Sequence, residues 1–280
     1  MNRMVFAVLA LAIAAPVMAG EPVNKSLAAD PDGDVVIQVT RGNVSIAGWD
    51  RNVVKVEGTR DDSSRKFIME RHGKVITITD EVEHGMFHWG ALSGKGTSIK
   101  VMVPHGNGVK ESLVSVDTDV RDITGPVRID TVSGDIKADN LSGDVQLDTV
   151  SGNVIARTSS ARMKMKAVSG DVRVNNSKPI RQAELSTVSG DVKLDSAVSD
   201  NGELALKSVS GDLTFTFRGK LNARVSAQTG PGGKINNDLT GAKPARSRYV
   251  GEESLKLMLG NAGADITASV VSGDITLRKP

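Results

Sequence analysis

The chain has 280 residues, no cysteine, and 35 basic against 33 acidic side chains. Balanced charge excludes a broad electrostatic attraction to nucleic acid or acidic lipid. The lack of cysteine excludes disulfides and a lipidated mature N-terminus. With 39% hydrophobic but only 3% aromatic residues, the core must come largely from Val, Ile, Leu, Ala and Met.

Residues 1–19 read as a signal peptide: Arg3 supplies the positive start, "MVFAVLALAIAAPVMA" the apolar run, and Val17-Met18-Ala19 the small-x-small cleavage pattern. The run is short for a membrane span, and no other stretch of the mature chain is long and apolar enough for a transmembrane segment. An exported, cysteine-free chain fits a bacterial periplasm or cell surface.

Residues 20–115 form an N-terminal β region. In "GDVVIQVTRGNVSIAGW", Val35 and Ile37 precede Gly42, and Val44 and Ile46 follow it. The pattern breaks between Arg60 and Gly96, which predicts a hairpin around His72-Gly73 and then a long loop, inserted near the N-terminal end. Strands resume at "TSIKVMVP" and "SLVSV".

Residues 116–280 carry the regular repeat. Ser-Gly-Asp, once Ser-Gly-Asn, places glycines at Gly134, Gly152, Gly170, Gly190 and Gly211, with further equivalents at Gly230 and Gly273. Intervals run from 18 to 21 residues until a gap of 43 between the last two. Apolar columns stand five before the glycine (Ile129, Leu147, Met165, Leu185, Leu206), two before (Val132, Val150, Val168, Val188, Val209, Val271) and two after (Ile136, Val154, Val172, Val192, Leu213, Ile275). Such alternation about a glycine predicts two short half-buried strands and a corner, with a phase change at the corner. Glycine supplies φ > 0 there, and Asp or Asn can bond nearby amides. Half-turns fall at Gly125 and Gly143. "SLKLMLG" reads as a strand through Leu255, Leu257 and Leu259.

A fixed period near twenty predicts an all-β, single-stranded parallel β-solenoid (β-helix), with equivalent residues stacked in ladders. Antiparallel hairpins are the rival, but they do not preserve apolar type at that offset. Structural corners are expected at Gly134, Gly152, Gly170, Gly190, Gly211 and Gly273.

The export signal, the "GNVSIAGWDRNVVKVEG" opening, the "IKVMVP" strand and the coils ending in "VVSGDITLRKP" closely resemble the bacterial "putative adhesin" domain of unknown function. The resemblance implies a β-helical envelope protein not known as an enzyme, with no catalytic residues to carry over.

Two constellations invite a chemical reading. The corner acids Asp135, Asp171, Asp191 and Asp212, with Asn153, should line one edge. Like charges ~4.8 Å apart repel by roughly 0.9 kcal/mol in water, so cations, Lys or Arg, or corner amides must offset them. Calcium solenoids carry a denser Gly-Gly-x-Gly-x-Asp repeat, which favours a structural corner over a metal site at Asp171 and Asp191. In "EHGMFHWG", His84 and His88 lie near Glu81 and Glu83 beside Phe87 and Trp89, a metal or ligand site on one reading and a cap over the solenoid end on the other. "GALSGKG" is one residue short of a phosphate loop. The "KPARSR" loop reads as a solvated basic segment.

Four Phe, two Trp and one Tyr after the signal are few for a sugar-cleaving groove. No cofactor is expected. The leading reading is a non-catalytic exported protein that presents a ladder surface to an unknown envelope protein or surface polymer. The alternatives are an envelope-stress accessory or sensor, and a polysaccharide-acting enzyme on a β-helix.

Overall fold

The structure is a computed structural model describing residues 20–82 and 95–280. Residues 1–19, His84, His88, Phe87 and Trp89 lie outside the described residues. The described chain forms a parallel β-solenoid. Each coil gives one strand to a first face, sheet A, and one to a second, sheet B, with the Ser-Gly-Asp corner between them.

On sheet A, Val127–Ser133, Val145–Ser151, Arg162–Ser169, Ile180–Ser189 and Val198–Ser210 pair in parallel, residue for equivalent residue. On sheet B, Ile136–Leu141, Val154–Thr158, Val172–Asn176, Val192–Ser196 and Leu213–Phe217 do the same. The core between the sheets is a set of apolar columns such as Ile129, Leu147, Met165, Leu185 and Leu206, each at most 1% exposed.

The stacking order departs from chain order at both ends. Asp34–Trp49 is not the outermost strand. It lies between Gly108–Arg121 on one side and Val75–Val82 with Thr97–Pro104 on the other. At the far end, Ala264–Ser272 and Ile275–Arg278 sit directly on Val198–Ser210 and Leu213–Phe217, and the earlier Ala223–Thr229 packs outside them. The C-terminal strands are therefore an interior rung.

Gly230 is not a corner equivalent of Gly273. Ile235 pairs with Ile275 while Thr229 pairs with Val270, so the Gly230–Gly233 turn holds one extra residue and Gly233 takes the equivalent place. Arg224 lies outside the outward column formed by Arg128, Gln146, Lys164 and Glu184. It pairs with Asp265 instead, and the column continues through Ala205, Thr267 and Ser226.

The ends are closed by antiparallel strands. Ser64–His72 turns back on Val75–Val82, forming the hairpin expected at His72-Gly73. Pro22–Ala28 covers Val53–Thr59, which covers Thr97–Pro104. Glu253–Met258 covers Ala223–Thr229, with Leu255 and Leu257 buried. Each end pairs an edge that would otherwise present free amides to another chain.

The valine column two before the glycine points outward, not inward. Val132, Val150, Val168, Val188, Val209 and Val271 are 44–59% exposed. Alternation runs unbroken from seven to two residues before the glycine, and the phase changes only at the corner itself. The inward partner is three before: Thr131, Thr149, Ala167, Thr187, Ser208 and Val270 are all buried. Polar residues tolerate that place because their hydroxyls donate to corner carbonyls, Thr187 Oγ1 to Gly170 O at 3.0 Å and Ser208 Oγ to Gly190 O at 3.2 Å.

Candidate functional site: corner column and outer face of sheet A

The corner glycines Gly134, Gly152, Gly170, Gly190, Gly211 and Gly273 have φ from 135° to 149°. Backbone of the neighbouring coil also crowds them. A Cβ on Gly190 would stand 2.3 Å from Gly170 O, closer than any side chain tolerates.

Each corner acid serves the following rung rather than its own. Asp117 Oδ1 accepts from the Asp135 amide at 2.8 Å, Asp135 Oδ1 from the Asn153 amide at 2.8 Å, and Asn153 Oδ1 from the Asp171 amide at 3.1 Å. The series continues from Asp171 to the Asp191 amide, Asp191 to Asp212, Asp212 to Asp274, and Asp274 to Lys234. A side-chain ladder thus runs beside the backbone ladder through the corner. Asn does this as well as Asp, which accounts for Asn153.

The outer carboxylate oxygens meet cations on the next outward column of sheet B. Arg173 Nη2 lies 2.6 Å from Asp171, and Lys193 Nζ 3.3 Å from Asp191. The Asp212 amide, and then Lys193, hold the Asp191 carboxyl below the usual range. Amides and cations together offset the repulsion along the column. Among the described residues no group of three His, Asp or Glu is placed to hold a metal.

Two buried polar features escaped the sequence reading. Glu111 stands in the interior column between Ile37 and Ile129 and is 0% exposed. Thr118 Oγ1 donates to its Oε2 at 2.8 Å, while Oε1 has no partner. Burial pushes its pKa up to about 8, against the smaller lowering effect of Thr118. Counting eighteen residues back from Ile129 would have found it.

The second feature lies where the 60–64 connection meets Thr97. Asp61 accepts from Arg41 and Ser63, and Asp80 accepts from the Ser64 and Thr97 hydroxyls. Burial alone would raise the Asp61 pKa, yet the Arg41 and Ser63 hydrogen bonds hold it at about 2. The cluster ties down both sides of the inserted segment and is structural in every contact it makes.

The outer face of sheet A carries three columns, read outward from the corner. The first is the valine column. The second is Ser112, Asp130, Asp148, Lys166, Ser186 and Lys207; the third is Lys110, Arg128, Gln146, Lys164, Glu184 and Ala205. Beside the third column lies a groove of about 760 Å³ that runs along the solenoid from Asp34 to Lys207. Three ion pairs run along it: Arg128 with Asp130 at 2.8 Å, Arg162 with Asp144 at 2.8 Å, Lys164 with Glu184 at 2.9 Å. The Lys164 ammonium holds the Glu184 carboxyl below its ordinary range.

Among solved structures, the chain is similar to a "putative adhesin" from Parabacteroides distasonis at 10% identity, covering 93% of this chain and 98% of that one, with a TM-score of 0.43. It is similar to a "putative lipid binding protein" from the same organism at 10% identity, 93% and 97% coverage and a TM-score of 0.46. A "putative adhesin" from Bacteroides fragilis aligns at 10% identity over 92% and 97%, with a TM-score of 0.37. A search of curated proteins finds no match. The family model described as Toastrack DUF4097 matches residues 33–278, nearly the whole repeat array with its inserted hairpin, and the chain belongs to that family.

Proposed function

We propose that this Toastrack chain is a non-catalytic, exported cell-envelope protein, adhesin-like in offering a long ladder surface to an envelope protein or surface polymer. The groove on sheet A carries the reading. It crosses eight rungs, a run of about 34 Å at ~4.8 Å per rung, which suits an extended ligand better than a compact one. Three of its cations, Arg128, Arg162 and Lys164, are neutralised by carboxylates of the chain. A hydrolytic site needs carboxyls whose pKa values are driven apart, whereas Glu184 here is held low by its lysine. Export is supported by the N-terminal pattern of Arg3, apolar run and Val17-Met18-Ala19.

The test is co-sedimentation of purified protein with isolated cell-wall and outer-surface polysaccharide. Wild type should pellet with one of them, and the double variant Lys110→Glu with Lys164→Glu should lose that binding at unchanged melting temperature. Equal binding by the variant would remove the groove from the account.

A further inference from the structure

Among the described residues nothing covers the valine column. Val114, Val132, Val150, Val168, Val188 and Val209 stand on six consecutive rungs at 44–52% exposure. Monomers rarely leave an apolar stripe of that length bare. Methyl groups repeating every ~4.8 Å can be covered all along only by a surface with the same rise, which is another strand ladder.

The flanking charges say which ladder. In the second column the acids Asp130 and Asp148 stand toward one end and Lys166 and Lys207 toward the other. In the third, Arg128 and Glu184 are likewise separated. Turned end for end, the face is complementary to itself.

We infer that sheet A docks face to face on sheet A of a second copy, antiparallel, about a two-fold axis perpendicular to the solenoid. Such an axis maps each column onto itself with its direction reversed. With the axis between the rungs of Val150 and Val168, Val150 meets Val168 of the second copy, Val132 meets Val188, and Val114 meets Val209. Asp148 then faces Lys166 twice and Arg128 faces Glu184 twice, and no like charges meet in either column. A parallel pair would set these charges against the neutral serines beside the corner. The intrachain ion pairs they now make are exposed, so exchanging partners costs little.

Six rungs by three columns measure roughly 29 Å by 20 Å, close to 600 Å² a side before side-chain relief and at the small end of specific interfaces. The pair is therefore expected to form in a concentration-dependent way. The third column and Lys207 also line the groove, so dimerisation and polymer binding would compete for this face.

The cysteine-free chain makes the test clean. Single-cysteine proteins Val132→Cys and Val188→Cys, mixed and oxidised, should cross-link to each other while neither cross-links to itself. Sedimentation equilibrium should show a wild-type dimer. The triple variant Val150→Thr, Val168→Thr, Val188→Thr should weaken it at least tenfold without lowering the melting temperature, because Thr keeps the shape and β-branching. A wild-type monomer at all concentrations, a threonine variant that dimerises as well as wild type, or self-cross-linking of Val132→Cys would each overturn the inference. Polysaccharide binding is scored on the threonine triple variant, whose substituted positions do not line the groove, and there bears on the groove alone.

Discussion

Glu111 and Thr118 face each other across the interior of the solenoid, and their 2.8 Å hydrogen bond is the carboxyl's sole partner among the described residues. The carboxyl occupies a column that elsewhere holds Ile, Leu, Met and Ala, where an ionised group has no counter-charge.

Stability should therefore fall as the solution becomes alkaline. The folded pKa of about 8 lies above the ordinary 4.5, so between these values the unfolded chain binds fewer protons than the folded one. Stability falls through that window and levels off above it, by several kcal/mol and at most about 5. Glu111→Gln keeps the acceptor for Thr118 and removes the titration. Chemical denaturation at pH 5 and pH 9 should show a large loss for wild type and a small one for the variant. Parallel losses would place the titration elsewhere.

The column five before the glycine predicts a contrast. Leu185 is 0% exposed, and Lys193 lies on the outward face of sheet B. Leu185→Asp buries an unpaired carboxylate and should abolish cooperative unfolding, while Lys193→Asp should stay within about 1 kcal/mol of wild type. Circular dichroism melts of the two variants check it.

At the corner, Gly190→Val should be severely destabilising, because φ is 144° and the new Cβ would strike Gly170 O. Asp191→Asn should be nearly silent, since the amide oxygen still accepts from the Asp212 amide. Asp191→Ala removes that acceptor and should cost about 1–2 kcal/mol. Neither Ca²⁺ nor EDTA should shift the melting temperature of wild type. A calcium-dependent rise abolished by Asp191→Asn would make the column a metal site.

Removing the C-terminal strands should damage more than the C-terminus. Ala264–Ser272 and Ile275–Arg278 separate the coil ending at Phe217 from Ala223–Thr229. A chain truncated after Gly263 should lose hydrogen-exchange protection throughout Ala223–Thr229 and Glu253–Met258, and should associate through the bared edge. Retained protection there would mean that the coils restack in chain order.

Much of this was legible from residue spacing, and the failures share a cause. Leu185, Met165 and Gly190 announce themselves because identical chemistry recurs at a fixed offset. The valines do too, but recurrence alone does not say which side they face. Valine suggests inside and Thr131 or Thr187 suggests outside, whereas here the hydroxyls are satisfied by corner carbonyls and the valines are left in solvent. Glu111 was missed for the same reason, a charged residue in a column otherwise apolar. Coil order could not be read at all. Periodicity fixes which residues are equivalent but not which equivalents are neighbours, and the long gap before Gly273 was the only trace of an inserted rung.

The claim that this solenoid binds an envelope polymer without transforming it meets its most direct test in one titration. The polysaccharide that co-sediments with wild type is incubated with excess protein, released by salt, and sized by chromatography against an untreated sample. The account predicts saturable binding, lost in the Lys110→Glu, Lys164→Glu variant, and polymer recovered at its original length. Shortened chains or new reducing ends, lost in the same variant, would make the groove an active site and contradict it.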